Sequence, residues 1–432
     1  MSAAADVAME SVAPSWSRYS EAQRWRFLAI LFLVSTCNYF DRNLLSVLLE
    51  SIKHEFQVSD TMLGLLGGFC FSIFYAAFGL PVARWADTGN RRTLITLALT
   101  IWSAMTVFCG LAHTFVQLAA ARIGVGAGEA GAIPPGQSLI ADYFPPERRA
   151  SAIGVFMAAA TAGYLLCFGV GGPVAAAYGW RAAFLMAGIP GLLLAVIVRL
   201  GLAEPRLRPG MHSARVERES LRESLLRLKS KRSFVHALIG YQFYSLMTYG
   251  ALIFVPSYLI RVQHVSLAEV SVAYGAAVAI GSVIGTLLGG WAADRLSRRD
   301  VRWLAWLAAV ACGAAGPVYM VALSLDSFWV FLVLAFVGAT LLSGGMPPVY
   351  TAIHAVCGSA RRATAIAVVL FSVTVGGGSV GPLATGAISD ALSKVYGADG
   401  LRYSLILMMS LLVATGGGFY LFGRAMPIDL ED

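Results

Sequence analysis

The segment ARWADTGNRR (residues 83–92) comes back as GWAADRLSRR (290–299), and PPGQSLIADYFPPERRASAI (134–153) comes back as PPVYTAIHAVCGSARRATAI (347–366), at offsets near 210 residues. In the second pair each Pro-Pro precedes Arg-Arg-Ala by the same twelve residues, and a weaker echo joins GGP at 171–173 to GP at 381–382. Self-similarity at a fixed offset means one structural unit used twice, so the content of that unit decides the fold.

Composition supplies the content. Of 432 residues, 58% are hydrophobic and 13% charged, with a mean hydropathy of +0.71; soluble domains carry about 25% charged residues. Apolar runs repeatedly reach the ~20 residues that cross about 30 Å of hydrocarbon at 1.5 Å per residue. Twelve such runs start near Arg24, Thr61, Thr93, Phe115, Ala150, Trp180, Ser233, Leu267, Val301, Ser327, Arg362 and Leu401. The predicted fold class is all-α integral membrane, with twelve transmembrane helices in two pseudo-symmetric six-helix bundles. The expected division is a cytoplasmic tail over 1–22, a bundle over 23–202, a cytoplasmic linker over 203–232, a bundle over 233–424 and a tail over 425–432. The first 22 residues are polar and lack an apolar h-region, so no cleaved leader is expected.

The net charge of +8 is sorted by loop. With both termini cytoplasmic, 25 of the 32 Lys and Arg fall on the inner side; Lys53, Arg181, Arg261, Lys394 and Arg402 fall outside, and Arg42 and Arg122 lie within the membrane. Topology accounts for the basicity, so nucleic acid is not an expected partner; membrane lipid headgroups are. A multi-pass protein of the plasma membrane, monomeric, is expected. All six cysteines lie in or beside spans without paired spacing, so free apolar thiols are expected. No CxxC, HExxH or histidine cluster supports a metal, and no cofactor is expected.

The linker AEPRLRPGMHSARVERESLRESLLRLKSKR (203–232) carries nine Arg or Lys against four Glu. Leu221, Leu225 and Leu228 recur at helical spacing, which suits either a helix lying on the membrane surface or a solvated connector. A duplicated six-span unit about a central loop is the architecture of a transporter whose halves rock about a shared site.

The chain resembles the major facilitator superfamily. ARWADTGNRR and GWAADRLSRR are similar to its loop signature after the second and eighth spans, and LAAARIGVGAGEAG (118–131) to its fourth-span signature. Ala83, Asn90 and Ser297 stand where that signature usually has glycine; Asn tolerates the left-handed backbone glycine supplies. NYFDRN (38–43) together with RIGVGAGEA is similar to the spinster-like branch, and that resemblance implies export of lysolipids or sphingoid phosphates. Related organic-anion transporters share an NYxDR-like first span.

Four ionisable side chains sit deep in predicted spans: Asp41, Arg42, Arg122 and Glu129. Each costs roughly 2.5–3.5 kcal/mol at a helix centre by insertion scales, so they have to be paired or hydrated. At 1.5 Å per residue, Asp41 and Arg42 fall in height between Glu129 near the midplane and Arg122 about 10 Å away. The expected bonds are Asp41 to Arg122 and Arg42 to Glu129. The repeat places Ala335 opposite Arg122 and Leu342 opposite Glu129, so the fold does not demand these charges. A water-accessible site for protons and substrate is one reading; a staple between helices is the other. Burial favours the protonated carboxyl and an approaching guanidinium the ionised one, which makes Glu129 the candidate proton carrier. Gly124, Gly126, Gly128 and Gly131 either leave that carboxylate uncrowded or serve helix packing.

In the second half, Tyr241, Gln242, Tyr244, Ser245, Thr248 and Tyr249 on the seventh span, with Ser343 and Tyr350 on the tenth, suit the cavity of an amphiphile; each tyrosine also fits interhelical packing. Asp87, Arg91 and Arg92, like Asp294, Arg298 and Arg299, sit at cytoplasmic helix ends. The resemblance implies gating by latches at helix dipoles, and plain capping is the alternative. No Gly-Lys pair exists for an ATP-binding loop, and scattered histidines give no nucleophile a base, so an enzyme is not expected. The expected function is secondary transport of an amphiphilic lipid by alternating access, coupled to protons through Glu129; the alternative is proton-coupled transport of a small organic anion.

Overall fold

The computed structural model describes residues 15–205 and 221–430, leaving aside the side chains of Ser15, Leu80, Asp87, Thr88, Leu221, Ser359, Ala360, Arg362 and Ala363. Every regular element among them is helical. Twelve long helices follow the chain: α1 (Glu21–Phe56), α2 (60–88), α3 (Arg91–Gly110), α4 (115–143), α5 (Pro146–Tyr178), α6 (Trp180–Gly201), α7 (Arg232–Arg261), α8 (Leu267–Ser297), α9 (Trp303–Ser324), α10 (Phe328–Gly358), α11 (359–396) and α12 (Gly400–Asp429). By length and composition alone, nine described stretches can cross a membrane. The other three are physical departures: NYFDRN lowers the hydropathy of α1, α4 is broken between Glu129 and Ile133, and α11 runs into α12 through a single 3-10 turn at Gly397–Asp399.

Local chemistry sets the boundaries. Ser20 with Gln23, Thr114 with Gln117 and Ser266 with Glu269 form capping boxes that open α1, α4 and α8. Gly179 (φ 85°) alone turns the chain from α5 into α6, and Gly358 (φ 64°) separates α10 from α11; both need a backbone that only glycine takes without strain. Asn90 corrects an expectation. It is extended (φ −84°), not left-handed, and its side chain caps α3 by accepting from the Thr93 N–H (2.9 Å).

Of the linker, residues 203–205 and 221–232 are described, and Leu221–Ser230 is helical. Its inward face is Ser224 and Leu228, both buried, while Leu225 is exposed, so the expected leucine stripe is rotated. It docks on the second half: Lys231 donates to the carbonyls of Val356 and Asp429, and the Asp429 carboxylate caps α7 through the Ser233 N–H (2.8 Å).

An even number of helices leaves both chain ends on one side, called here the terminal side; the turn between α1 and α2 lies on the far side. Contact between the halves runs through α1 with α7, α2 with α11 and α5 with α8. On the far side these contacts are backbone-close. A Cβ on Gly64 would lie 2.2 Å from the Pro382 carbonyl oxygen, one on Gly386 2.1 Å from that of Asp60, and one on Gly172 2.0 Å from the Ser271 hydroxyl. The molecule is shut on the far side. Four π-helical segments, Leu65–Phe69, Cys167–Gly171, Val270–Tyr274 and Val373–Val380, fall one each in α2, α5, α8 and α11, the helices of that contact.

Candidate functional site

α1 and α4 bring the predicted charges together. Arg42 donates from Nε (3.2 Å) and Nη2 (3.0 Å) to Oε2 of Glu129, a fully buried carboxylate. The expected Asp41–Arg122 bond is not made. Asp41 instead accepts from the Thr106 hydroxyl of α3 (3.3 Å), and Arg122, 2% exposed, rests on the ring of Phe71 (5.3 Å). Composition offered Asp41 one cationic neighbour, whereas packing against α3 offered it a hydroxyl and packing against α2 gave Arg122 an aromatic face.

Arg42 also sits among the rings of Tyr39 (5.7 Å), Phe71 (5.1 Å) and Tyr75 (4.9 Å). The aromatics of α2 were not legible as site residues, because apolar residues in a span read first as lipid-facing or core. The glycines of α4 serve close packing. A Cβ on Gly126 would lie 2.4 Å from the Phe71 carbonyl oxygen, and one on Gly128 2.8 Å from the Trp102 amide nitrogen. The helix breaks directly after Glu129, at residues 130–132, which the sequence did not announce.

A cavity of about 210 Å³ lies between the halves at this level. Arg42, Arg122 and Phe71 form one wall; Thr248 and Tyr249 of α7 face them, with Tyr164 and Phe168 of α5 and Tyr274 of α8 closing the sides. The other predicted cavity residues do not line it. Tyr241 is buried against Tyr350 (5.6 Å) and Phe419 (5.5 Å) and meets Tyr244 edge-on (6.4 Å). Gln242 is hydrogen-bonded to the Ser372 hydroxyl (2.8 Å), the Ser245 hydroxyl donates to the Gln242 carbonyl (2.9 Å), and Ser343 is half-buried. Tyr241 packs between helices, with Tyr244 half-buried and Tyr350 exposed beside it.

Of the predicted gating residues, Arg91 is fully buried in its own half. It pairs with Asp142 (2.6 Å) and Glu204 (2.7 Å) and donates to the Ser138 hydroxyl (2.9 Å). Glu204 also accepts from the Arg91 backbone N–H (2.6 Å), and Arg92 donates to the Leu202 carbonyl (3.3 Å), so this cluster clasps α3, α4 and the end of α6. The Asp87 side chain lies outside the described residues. Asp294, Arg298 and Arg299 are exposed and make no ion pair among the described residues.

Among the described residues the cross-half ion pairs are on the far side, where Lys53 and Arg261 had been read only as topological charges. Arg261 of α7 holds Glu50 of α1 (2.9 Å) and Asp60 of α2 (2.7 Å). Asp60 also binds Lys53 and the Ser389 hydroxyl (2.6 Å), and Asp390 of α11 accepts from the N–H groups of Asp60 (2.9 Å) and Thr61 (2.8 Å). All six cysteines are free.

Comparison with known proteins agrees with this architecture. The family description "Major Facilitator Superfamily" matches residues 31–382. A protein called an MFS-type efflux pump in Mycolicibacterium smegmatis is 34% identical over 94% of both chains. Protein spinster homolog 3 of Danio rerio is 29% identical over 94% of this chain and 86% of its own. The crystal structure of a bacterial homologue of the human lysosomal transporter Spinster, inward-facing and unoccupied, is 30% identical, covers 96% of this chain and 100% of its own, and superposes with a TM-score of 0.87. A twelve-helix bundle pair shut on one side, with charges gathered in one half of its central cavity, is thus a transporter and not an enzyme: the chain belongs to the major facilitator superfamily, in its spinster-like branch.

Proposed function

We propose that this transporter moves an amphiphilic anion, of lysophospholipid or sphingoid-phosphate type, by alternating access coupled to protons. The carrying observation is the asymmetry of the cavity: two guanidinium groups, with Asn43, Ser46, Ser72 and Thr248 as the neutral polar groups, and otherwise mostly aromatic and aliphatic side chains. Such a site offers a charged pole for a headgroup and an apolar surround for the first carbons of a tail. A polar small anion gains nothing from that surround, although the same arginines would hold its carboxylate, which keeps organic-anion transport as the second reading.

Glu129 is the proposed proton carrier. Because α1 and α4 belong to one half, rocking does not by itself part Arg42 from Glu129. Protonation of Glu129 releases Arg42 toward the cavity, and the return of Arg42 expels the proton. With the terminal side cytoplasmic in the plasma membrane, as the positive-inside distribution favours, this conformation is closed to the exterior. Flux in proteoliposomes tests the reading: lysophosphatidic acid is expected to move faster under a pH gradient, and small dicarboxylic acids not to move. The reverse result overturns the lipid reading in favour of the organic anion.

A further inference from the structure

The two buried arginines are not equivalent. Arg42 is matched by Glu129, whereas Arg122 donates no hydrogen bond and makes no ion pair among the described residues, and its Nε is buried without a partner. It packs on the ring of Phe71, the same ring that meets Arg42, and the carboxylates of Asp41 and Glu129 act on it only through space, without a bond. A buried guanidinium whose hydrogen bonds are unmade is costly until a ligand supplies the acceptor. Both guanidinium groups and Phe71 line the central cavity.

The position of Phe71 is set by the π turn that precedes it, Leu65–Phe69. Across this wider turn Gly64, Gly68 and Ser72, at every fourth residue, all stay toward α11: a Cβ on Gly64 or Gly68 would meet Pro382 or Gly378, and the Ser72 hydroxyl lies against Gly378. At about 100° per residue a regular helix would carry Ser72 roughly 80° away from Gly64. Keeping that stripe on α11 turns the adjacent Phe71 onto the two arginines.

We infer that Phe71 is a positioning residue that holds Arg122, rather than Arg42, as the resting receptor for the anionic group of the substrate. This deepens the proposed function and rests on its anionic amphiphile. The ring face attracts a desolvated guanidinium without neutralising it, so Arg122 is fixed yet remains available. Arg42 joins the anion only after Glu129 lets it go.

The test is binding of lysophosphatidic acid to the full chain in nanodiscs of neutral lipid. Arg122→Gln and Phe71→Leu are each expected to raise Kd about tenfold, and Phe71→Trp, a stronger cation–π partner, to stay within about twofold of wild type. Pentafluorophenylalanine at position 71 nearly keeps the shape of the ring but reverses its electrostatic face; it is expected to bind at least as weakly as Phe71→Leu, a change that packing alone would not produce. In the Arg122→Gln background, Phe71→Leu is expected to add no further loss. Wild-type affinity in the fluorinated protein, or additive losses in the double variant, overturns the inference. If wild-type protein does not bind the probe, the substrate reading falls and ligand-free melting decides the assignment. Non-additive Tm shifts of Phe71→Leu and Arg122→Gln uphold it, and additive shifts overturn it.

Discussion

At the scale of single residues, the Arg42–Glu129 pair governs what can be predicted. Glu129 is fully buried and Arg42 is its sole ion-pair partner among the described residues, so removing the arginine strands a carboxylate in low dielectric. Arg42→Ala is expected to cost about 3–5 kcal/mol of stability, and the double variant Arg42→Ala, Glu129→Gln less than the sum of the singles. Thermal melting in detergent measures both; strict additivity would show that the pair does not stabilise the fold. Glu129→Gln alone keeps the shape of the side chain and a hydrogen-bond acceptor for Arg42. It is expected to insert and fold, but to transport at a rate indifferent to the pH gradient, which flux assays at two external pH values check. Retained pH dependence would move the proton elsewhere.

At the scale of elements, the four π segments stand out because they occur in four of the six helices that meet across the halves, and because Gly67, Phe168 and Tyr274 within them line the cavity. The contacts they set are tight enough that one methyl group matters. A Cβ on Gly68 would lie 2.9 Å from both the Gly378 carbonyl oxygen and the Pro382 ring. Gly68→Leu is therefore expected to hold α2 off α11 and keep the far side from closing. The check is labelling of Ser46→Cys, a cavity position, by an impermeant thiol reagent applied from the far side, in a background with the six native cysteines replaced. The labelling rate is expected to rise severalfold, and an unchanged rate would mean that the contact does not form the seal.

At the scale of the whole molecule, the conformation is a balance of latches on opposite faces. Here the far side is latched through Asp60, Glu50 and Arg261, while Asp294 is exposed and makes no ion pair across the halves among the described residues. A bond to a charged group contributes roughly 1.5–3 kcal/mol, enough to change a two-state ratio about tenfold or more. Asp60→Asn is expected to raise the population open on the far side, and Asp294→Asn to lower it, both read as spin-label distances between α2 and α11 on the far side. Shifts in the same direction would deny the opposition of the two latches. The repeat, the composition and the twelve apolar runs determined the fold, because membrane insertion and duplication both write themselves into sequence period and length. The charges Asp41, Arg42, Arg122 and Glu129 were also legible, since a charge in a span is costly wherever it points. The tertiary structure alone decided which of them pair, that Phe71 meets both arginines, that Tyr241 and Gln242 pack rather than line the cavity, and that Arg261 joins the halves at an Asp60 that Lys53 also holds. Those facts depend on helix rotation about its axis, set by π turns and glycine contacts between segments hundreds of residues apart, and hydropathy along one helix carries little trace of them.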